Sequence, residues 1–216
     1  MAGGKGERLG TALPKQFLPL NGVPTILYSI KSFQEAIPGI DIILVIPKKH
    51  ESNWQSIAKG AHIKASLAFG GSTRYQSVKN ALVHIKYEAG IIAIHDAARP
   101  FITKQLIQNL FKAAEINGNA IPSIPIKDSI RQKKGDSYIH VDRNEFIAIQ
   151  TPQCFKTNII LKAYKKEFTP SITDDAGLVE SIGEEIHVIP GEEMNLKITN
   201  KQDLIVAESI AKKWQY

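Results

Sequence analysis

One cysteine among 216 residues leaves no intrachain disulfide and no metal site of cysteine spacing. Cys154 sits in the apolar-flanked Gln153-Cys-Phe155, the setting of a buried structural thiol rather than a nucleophile. No apolar stretch approaches the roughly 20 residues that span a bilayer, so no membrane partner is expected. Repeats, linkers and low-complexity tracts are missing too. Lys and Arg outnumber Asp and Glu by 27 to 21, for a net charge of +6, yet they form no long basic run and do not interleave with aromatics. That argues against nucleic acid and for attraction of small polyanions. The first residues are glycine-rich and charged, unlike the apolar core of a leader, and the cytoplasm is the expected compartment.

What is present is an alternation of short apolar runs and helical patterns. Ile40–Ile46, Ile91–Ile94, Asn119–Ile126 and Ile186–Ile189 read as strands, the third suited by its prolines to a sheet edge or an irregularity. Helices are expected over Thr25–Glu35, Arg74–Glu88, Lys104–Asn117, Asn158–Lys166, Asp174–Ile182 and Lys201–Lys213. The order implies an α/β fold with a mostly parallel sheet, and the length fits one domain, 1–216. Residues 127–149 interrupt it. The polar Arg131–Ser137 between Asp128–Ile130 and Tyr138–Val141 reads as a β-hairpin around a glycine turn.

The first sixteen residues hold four glycines with Lys5, Arg8 and Lys15 against the single acid Glu7. Glycine lets backbone N–H groups close on an anion; Arg adds a donor fork and Lys a mobile charge. Together they suit a polyphosphate, the alternative being an ordinary glycine-rich loop with solvated charges. It is no P-loop, since Lys5 is followed by Gly6, and no dinucleotide fingerprint, since Leu9 stands where the third glycine is needed.

This segment is similar to the nucleotide loop of sugar-phosphate nucleotidyltransferases. Five further motifs follow in order: Gly70-Gly-Ser-Thr-Arg74 with Gln76-Ser-Val78, His95-Asp-Ala-Ala-Arg-Pro100, Gln150-Thr-Pro-Gln153, Thr173-Asp-Asp175 and Asn195-Leu-Lys-Ile-Thr199. With them the chain resembles the 2-C-methyl-D-erythritol 4-phosphate cytidylyltransferases from Ala2 to about Ala211. The resemblance implies a Rossmann-like sheet of nucleotide-diphosphosugar-transferase type, with 127–149 as a dimerisation arm of a homodimer. It implies transfer of CMP from CTP to the sugar-alcohol phosphate with release of pyrophosphate. Ribitol 5-phosphate as acceptor, and a non-catalytic CTP-binding protein, are the rival readings. The resemblance also implies an apolar strand just ahead of the glycine loop, central in the sheet. Here the loop opens the sequence, so the expectation is either an altered start or a shortened sheet whose neighbouring strands lose partners.

Carried onto this sequence, the resemblance makes Lys15 and Lys197 the stabilisers of the transition state and Arg8 the clamp on the outer phosphates. Ala2, Gly3, Gly4, Lys5 and Gly6 would line the triphosphate, and Gly71, Arg74 and Ser77 the cytosine and ribose. Ser77 would hydrogen-bond the base; the plainer reading of this stretch is a loop and helix N-cap, which Ser72 or Thr73 would serve. Asp96 would meet the substrate polyol or Mg²⁺-bound phosphates, and Arg99 would hold the site together; an Asp96–Arg99 ion pair is the structural alternative. Ser129, Arg143, Thr151 and Thr173 would bind the acceptor, Ser129 and Arg143 across the dimer, although Thr173 also suits a helix cap. His95 reads as a buried hydrogen-bonding residue, and Asp175 is given no role. Mg²⁺ is expected on triphosphate oxygens and water, with no protein cage.

Overall fold

The computed structural model describes residues 1–3, 14–86 and 90–214, with Lys15 by its backbone alone. Strands β1 (Pro19–Leu20) and β2 (Val23–Pro24) pair antiparallel and lead into helix α1 (Thr25–Ala36). Then come β3 (Ile43–Ile46), α2 (Glu51–Ala61), β4 (Ser66–Phe69), α3 (Arg74–Leu82), β5 (Ile91–Ile94), α4 (Lys104–Asn117) and β6 (Asn119–Pro125). The remainder is β7 (Arg131–Lys134), β8 (Ser137–His140), β9 (Ile147–Ile149), β10 (Gln153–Lys156), α5 (Thr157–Ala163), α6 (Asp175–Glu180), β11 (Val188–Pro190) and α7 (Lys201–Ala211).

The expected α/β fold is what forms. Its larger sheet has the order β11-β6-β10-β5, with β9 on the far half of β6, and β3 and β4 form a parallel pair. β6 and β11 run parallel, while β10 runs against both β5 and β6. Residues 1–2 join the two groups. The Met1 amine donates to the His95 carbonyl, Ala97 N–H donates to Met1 O at 2.9 Å, and Ala2 N–H donates to Val45 O at 2.8 Å. Beyond them a cavity of about 470 Å³ separates the facing edges of β3 and β5, floored by Ile26, Ile30, Val78 and Leu82.

The sheet is buried on both faces because its strands alternate. Cys154 on β10 joins Phe33, Leu106, Ile107 and Leu110 on one side, and Phe155 joins Val78, Ile160 and Leu178 on the other. Each large apolar side chain removed from water in this way stabilises the fold by about 1.5–3 kcal/mol. Cys154 is buried, as expected of a structural thiol, and burial pushes the thiol up.

Several expectations are corrected. α2, β4 and β10 form in stretches for which the sequence sets no expectation, and α3 stops at Leu82, short of Glu88. β6 is interior, not an edge. Ile121 N–H donates to His187 O on the β11 side, so the nitrogen of Pro122 faces the other side, where β10 pairing ends at Ala120 and β9 pairing begins at Ser123. Pro122 O still accepts Gln150 N–H at 2.8 Å, so the proline forgoes only the reciprocal bond at the point where β6 changes partner. In the hairpin, the polar Arg131–Lys134 is itself the first strand, turning through Gly135 (φ 57°) and Asp136. A ribbon exposed on both faces needs no apolar alternation.

Candidate active site

The carboxyl end of β5 leads straight into Asp96, the usual place for ligands in such sheets. Asp96 is the hub of the described site. Its Oδ2 lies 2.6 Å from Lys197 Nζ and its Oδ1 lies 3.8 Å from Arg74 Nε. Burial opposes its charge, but Lys197 and Arg74 outweigh that and hold the carboxyl well below the usual range. Arg99 is not its partner: Arg99 donates instead to the Asn195 carbonyl at 2.6 Å. Of the two readings for Arg99, holding the site together is the one that the geometry supports.

Arg74 is the first residue of α3, whose N-cap is Thr73, accepting from Gln76 N–H at 3.0 Å. Just before it, Ser77 folds the glycine turn: its hydroxyl donates to Thr73 O at 2.8 Å and accepts from Gly71 N–H at 3.0 Å. A Cβ on Gly71 would come within 2.2 Å of the Gln76 side chain, so the tight turn needs glycine. Gly3 lies against the same hydroxyl. Ser77 therefore staples the loop that would face the base, with one lone pair left over.

His95 is buried as expected, between Arg99 O at 3.0 Å from Nε2 and Thr151 Oγ1 at 3.3 Å from Nδ1. Thr151 Oγ1 in turn accepts the Asp96 N–H at 3.1 Å, so Thr151 ties the end of β5 to the Gln150–Gln153 motif. Thr173 is exposed and shares a small cleft of about 90 Å³ with Arg74, Tyr75 and Tyr164. The cap of α6 is Asp174 and not Thr173. Ser129 and Arg143 are exposed at the base of the hairpin, Arg143 donating to the Lys127 carbonyl, and the structure does not bring them to the Asp96 cluster of the same chain. Gly4, Lys5, Gly6 and Arg8 lie outside the described residues. The Lys15 backbone is placed in a short 3-10 turn, Lys15–Phe17, whose Gln16 side chain donates to the buried Ala2 carbonyl at 2.7 Å. The start of the glycine loop is thereby tied to the segment that carries Lys15.

This constellation of a glycine turn, an Arg–Asp–Lys relay and a hairpin agrees with the comparisons. The chain matches the profile of the 2-C-methyl-D-erythritol 4-phosphate cytidylyltransferase family over residues 1–213. It belongs to that family. A 2-C-methyl-D-erythritol 4-phosphate cytidylyltransferase of Bacteroides fragilis is 38% identical over 212 residues, covering 97% of this chain and 96% of the relative. One from Clostridium botulinum is 40% identical over 216 residues, covering 96% and 95%. Among solved structures, the 4-diphosphocytidyl-2C-methyl-D-erythritol synthase of Anaerococcus prevotii superposes with a TM-score of 0.83 at 26% identity, covering 98% of this chain and 95% of that one. The Thermus thermophilus cytidylyltransferase gives 0.78 at 29%, covering 98% and 96%.

Two of the motifs of this cytidylyltransferase family open on buried amides, Gln150 and Asn195, whose role in aiming the rest no spacing shows. Gln150 donates to Glu192 O at 2.8 Å and accepts from Glu192 N–H at 3.2 Å and Asn195 Nδ2 at 3.3 Å. Asn195 also donates to Thr151 O at 2.9 Å, and Ile198 N–H reaches Ala98 O at 2.8 Å. The loop that carries Lys197 is thus bolted to the end of β9 and to the segment after β5. Gly191 permits the close approach, since a Cβ there would stand 2.6 Å from Gln150 Oε1 and 3.0 Å from Ser123 O. Gly191→Ala is expected to cost about 1–3 kcal/mol in urea unfolding by overpacking. An unchanged midpoint would show that the loop does not depend on this contact.

Proposed function

We propose that this chain transfers CMP from CTP to 2-C-methyl-D-erythritol 4-phosphate, giving 4-diphosphocytidyl-2-C-methyl-D-erythritol and pyrophosphate for non-mevalonate isoprenoid synthesis. The observation that carries the reading is the Asp96 carboxylate set between Arg74 and Lys197 at the end of β5, in a chain of this family. An acceptor phosphate oxygen attacks the α-phosphorus and pyrophosphate leaves in line. A phosphate is already ionised near neutral pH, so the work is positioning and charge stabilisation rather than proton abstraction. His95 is buried with both ring nitrogens engaged, by Arg99 O and the Thr151 hydroxyl, and offers no nitrogen to a substrate proton.

Lys197, poised on Asp96, is free to exchange that carboxylate for a phosphate oxygen as charge grows on the five-coordinate phosphorus. Lys15 would serve beside Lys197 at the α-phosphate and Arg8 on the outer phosphates, assisted by backbone N–H groups of Gly3 to Gly6. Arg74, Gly71 and Ser77 would hold the nucleoside, and Thr151 and Thr173 the acceptor. Among the described residues no three His, Cys, Asp or Glu side chains converge, and Asp96 is already engaged by two cations. Such a donor set fits Mg²⁺ that arrives on triphosphate oxygens, where it would neutralise charge on the leaving group.

The dimer reading rests on the arm. Tyr138, Phe146 and Ile147 are exposed at 61%, 43% and 49%, apolar surface that suits a second copy. A homodimer in the cytoplasm would bring the partner's Ser129 and Arg143 to the acceptor; no described helix is long and apolar enough to cross a membrane. Arg143→Ala is therefore expected to raise the acceptor KM at least tenfold with the CTP KM unchanged, through loss of a bidentate phosphate contact. An unaltered acceptor KM would remove Arg143 from the site. The reading as a whole is tested by pyrophosphate release from CTP and Mg²⁺ with methylerythritol phosphate or ribitol 5-phosphate. Release with the first alone supports it; release with ribitol phosphate alone assigns the chain to that acceptor, and silence with both leaves a CTP-binding protein.

A further inference from the structure

The most deeply buried acid near the site is not Asp96 but Asp175, which is fully inaccessible. It opens α6, 101 positions from its partner Arg74, and is fixed on every side. Its Oδ2 takes Arg74 Nη2 at 2.5 Å, and its Oδ1 takes the Tyr164 hydroxyl at 2.5 Å. Gln153 Oε1 accepts the N–H groups of Asp175 and Ala176 at 3.1 and 3.0 Å, while Gln153 Nε2 donates to Asp174 Oδ2 at 2.7 Å. Tyr164 cannot drift, because Tyr75 stacks on it with centroids 4.9 Å apart at 17°.

A guanidinium between two carboxylates takes the better-placed one by its fork. Arg74 is in hydrogen-bond contact with Asp175 but stands 3.8 Å from Asp96, which leaves Asp96 Oδ2 to Lys197 at 2.6 Å. Burial works against the Arg74 charge, yet Asp175 more than offsets it and the guanidinium is pushed up, in keeping with a permanent pair. Tyr164 is also pushed up, by burial first and Asp175 second, so its proton stays on the phenol to serve that carboxylate.

We propose that Asp175, oriented by Tyr164 and Gln153, is a positioning residue that anchors Arg74 away from Asp96, keeping Arg74 turned to the nucleotide and Asp96 free for Lys197. This rests on the nucleotide-binding reading of Arg74. Without Asp175 the Arg74 fork turns from the nucleotide toward Asp96 Oδ1, while Lys197 keeps its own contact with Asp96 Oδ2.

The test is a kinetic cycle on the full chain, using Asp175→Asn, Arg74→Ala and the double variant, with calorimetric CTP binding alongside. Asp175→Asn is expected to raise the CTP KM about tenfold, with CTP binding weakened in step and kcat within threefold. In the Arg74→Ala background it should add less than twofold, because its effect passes through Arg74. Tyr164→Phe keeps the stacked ring and removes one donor. It should raise the CTP KM in the same direction by two- to fourfold, and it carries the test if Asp175→Asn does not fold. A tenfold penalty that multiplies on Arg74→Ala marks a merely structural acid and overturns the proposal. So does an unchanged CTP KM in Tyr164→Phe and in folded Asp175→Asn. A wild-type chain that releases no pyrophosphate with either acceptor sinks the functional reading itself, and the proposal with it.

Discussion

Replacing Lys197 by alanine is expected to lower turnover by about 10²- to 10³-fold, the scale of removing one preorganised donor from a developing oxyanion. The Lys197 side chain is 42% exposed, yet its ammonium lies 2.6 Å from Asp96 at the end of β5, on a loop bolted by Gln150 and Asn195. A half-exposed pair of this kind contributes at most about 1 kcal/mol to folding. The loss of activity should therefore far exceed the loss of stability, with Tm lowered by a few degrees at most. Lys197→Met, which keeps the aliphatic stem, should be as slow as alanine, because charge and not packing is removed. Pyrophosphate release and thermal unfolding of both variants decide it. If activity and stability fall together, or if methionine restores turnover, Lys197 is a structural residue. Lys15→Ala is expected to behave in the same way.

The strands and helices that flank the site were legible because their patterns are local. Ile91–Ile94 is a short apolar run, and Thr103 and Gly118 bracket α4 as cap and left-handed terminus. α2 was legible too, and missed: Trp54, Ile57, Ala58 and Ala61 fall on one face and pack beside Leu44 and Ile46. β4 and β10 were not. In Ser66–Phe69 only Ala68 is buried, and β10 opens on Gln153, a polar residue whose burial makes sense only beside Asp174 and Asp175. The same reason hid the rest of the site. Asp96, Lys197 and Arg74 carry charges whose chemistry a motif reports, but Gln150, Gln153 and Asp175, though they lie in motifs, and Tyr164, which does not, act by hydrogen bonds to groups elsewhere in the chain, and no spacing rule reports those partners.

Stability is expected to fall by about 3 kcal/mol between pH 6.5 and pH 4 through His95 alone. A carbonyl can only accept, so His95 Nε2, 3.0 Å from Arg99 O, carries the proton, and Nδ1 must accept the Thr151 hydroxyl at 3.3 Å. A second proton on Nδ1 would force the Thr151 hydroxyl to turn its own proton away and would leave a charge buried in a ring packed edge-on against Phe33 at 5.4 Å. Burial accordingly pushes the imidazole down to about 4. An unfolded histidine titrates near 6.5, so between the two values the unfolded chain binds the extra proton and the folded one refuses it. The contribution is whole above pH 6.5 and is lost as pH falls through that window. It reaches about 3 kcal/mol at 1.36 kcal/mol per unit. Urea unfolding from pH 7 to pH 4 measures it against His95→Gln, whose amide can still donate to Arg99 O but does not titrate. Other carboxylates act in both proteins and cancel in the difference. The wild-type curve should drop toward the variant's as pH falls; parallel curves would mean that His95 takes up its proton without leaving the fold. Asp96, held ionised far below this range, takes no part. Acid loss of activity should therefore follow the loosening of Thr151 and the end of β5, and return when the pH is restored.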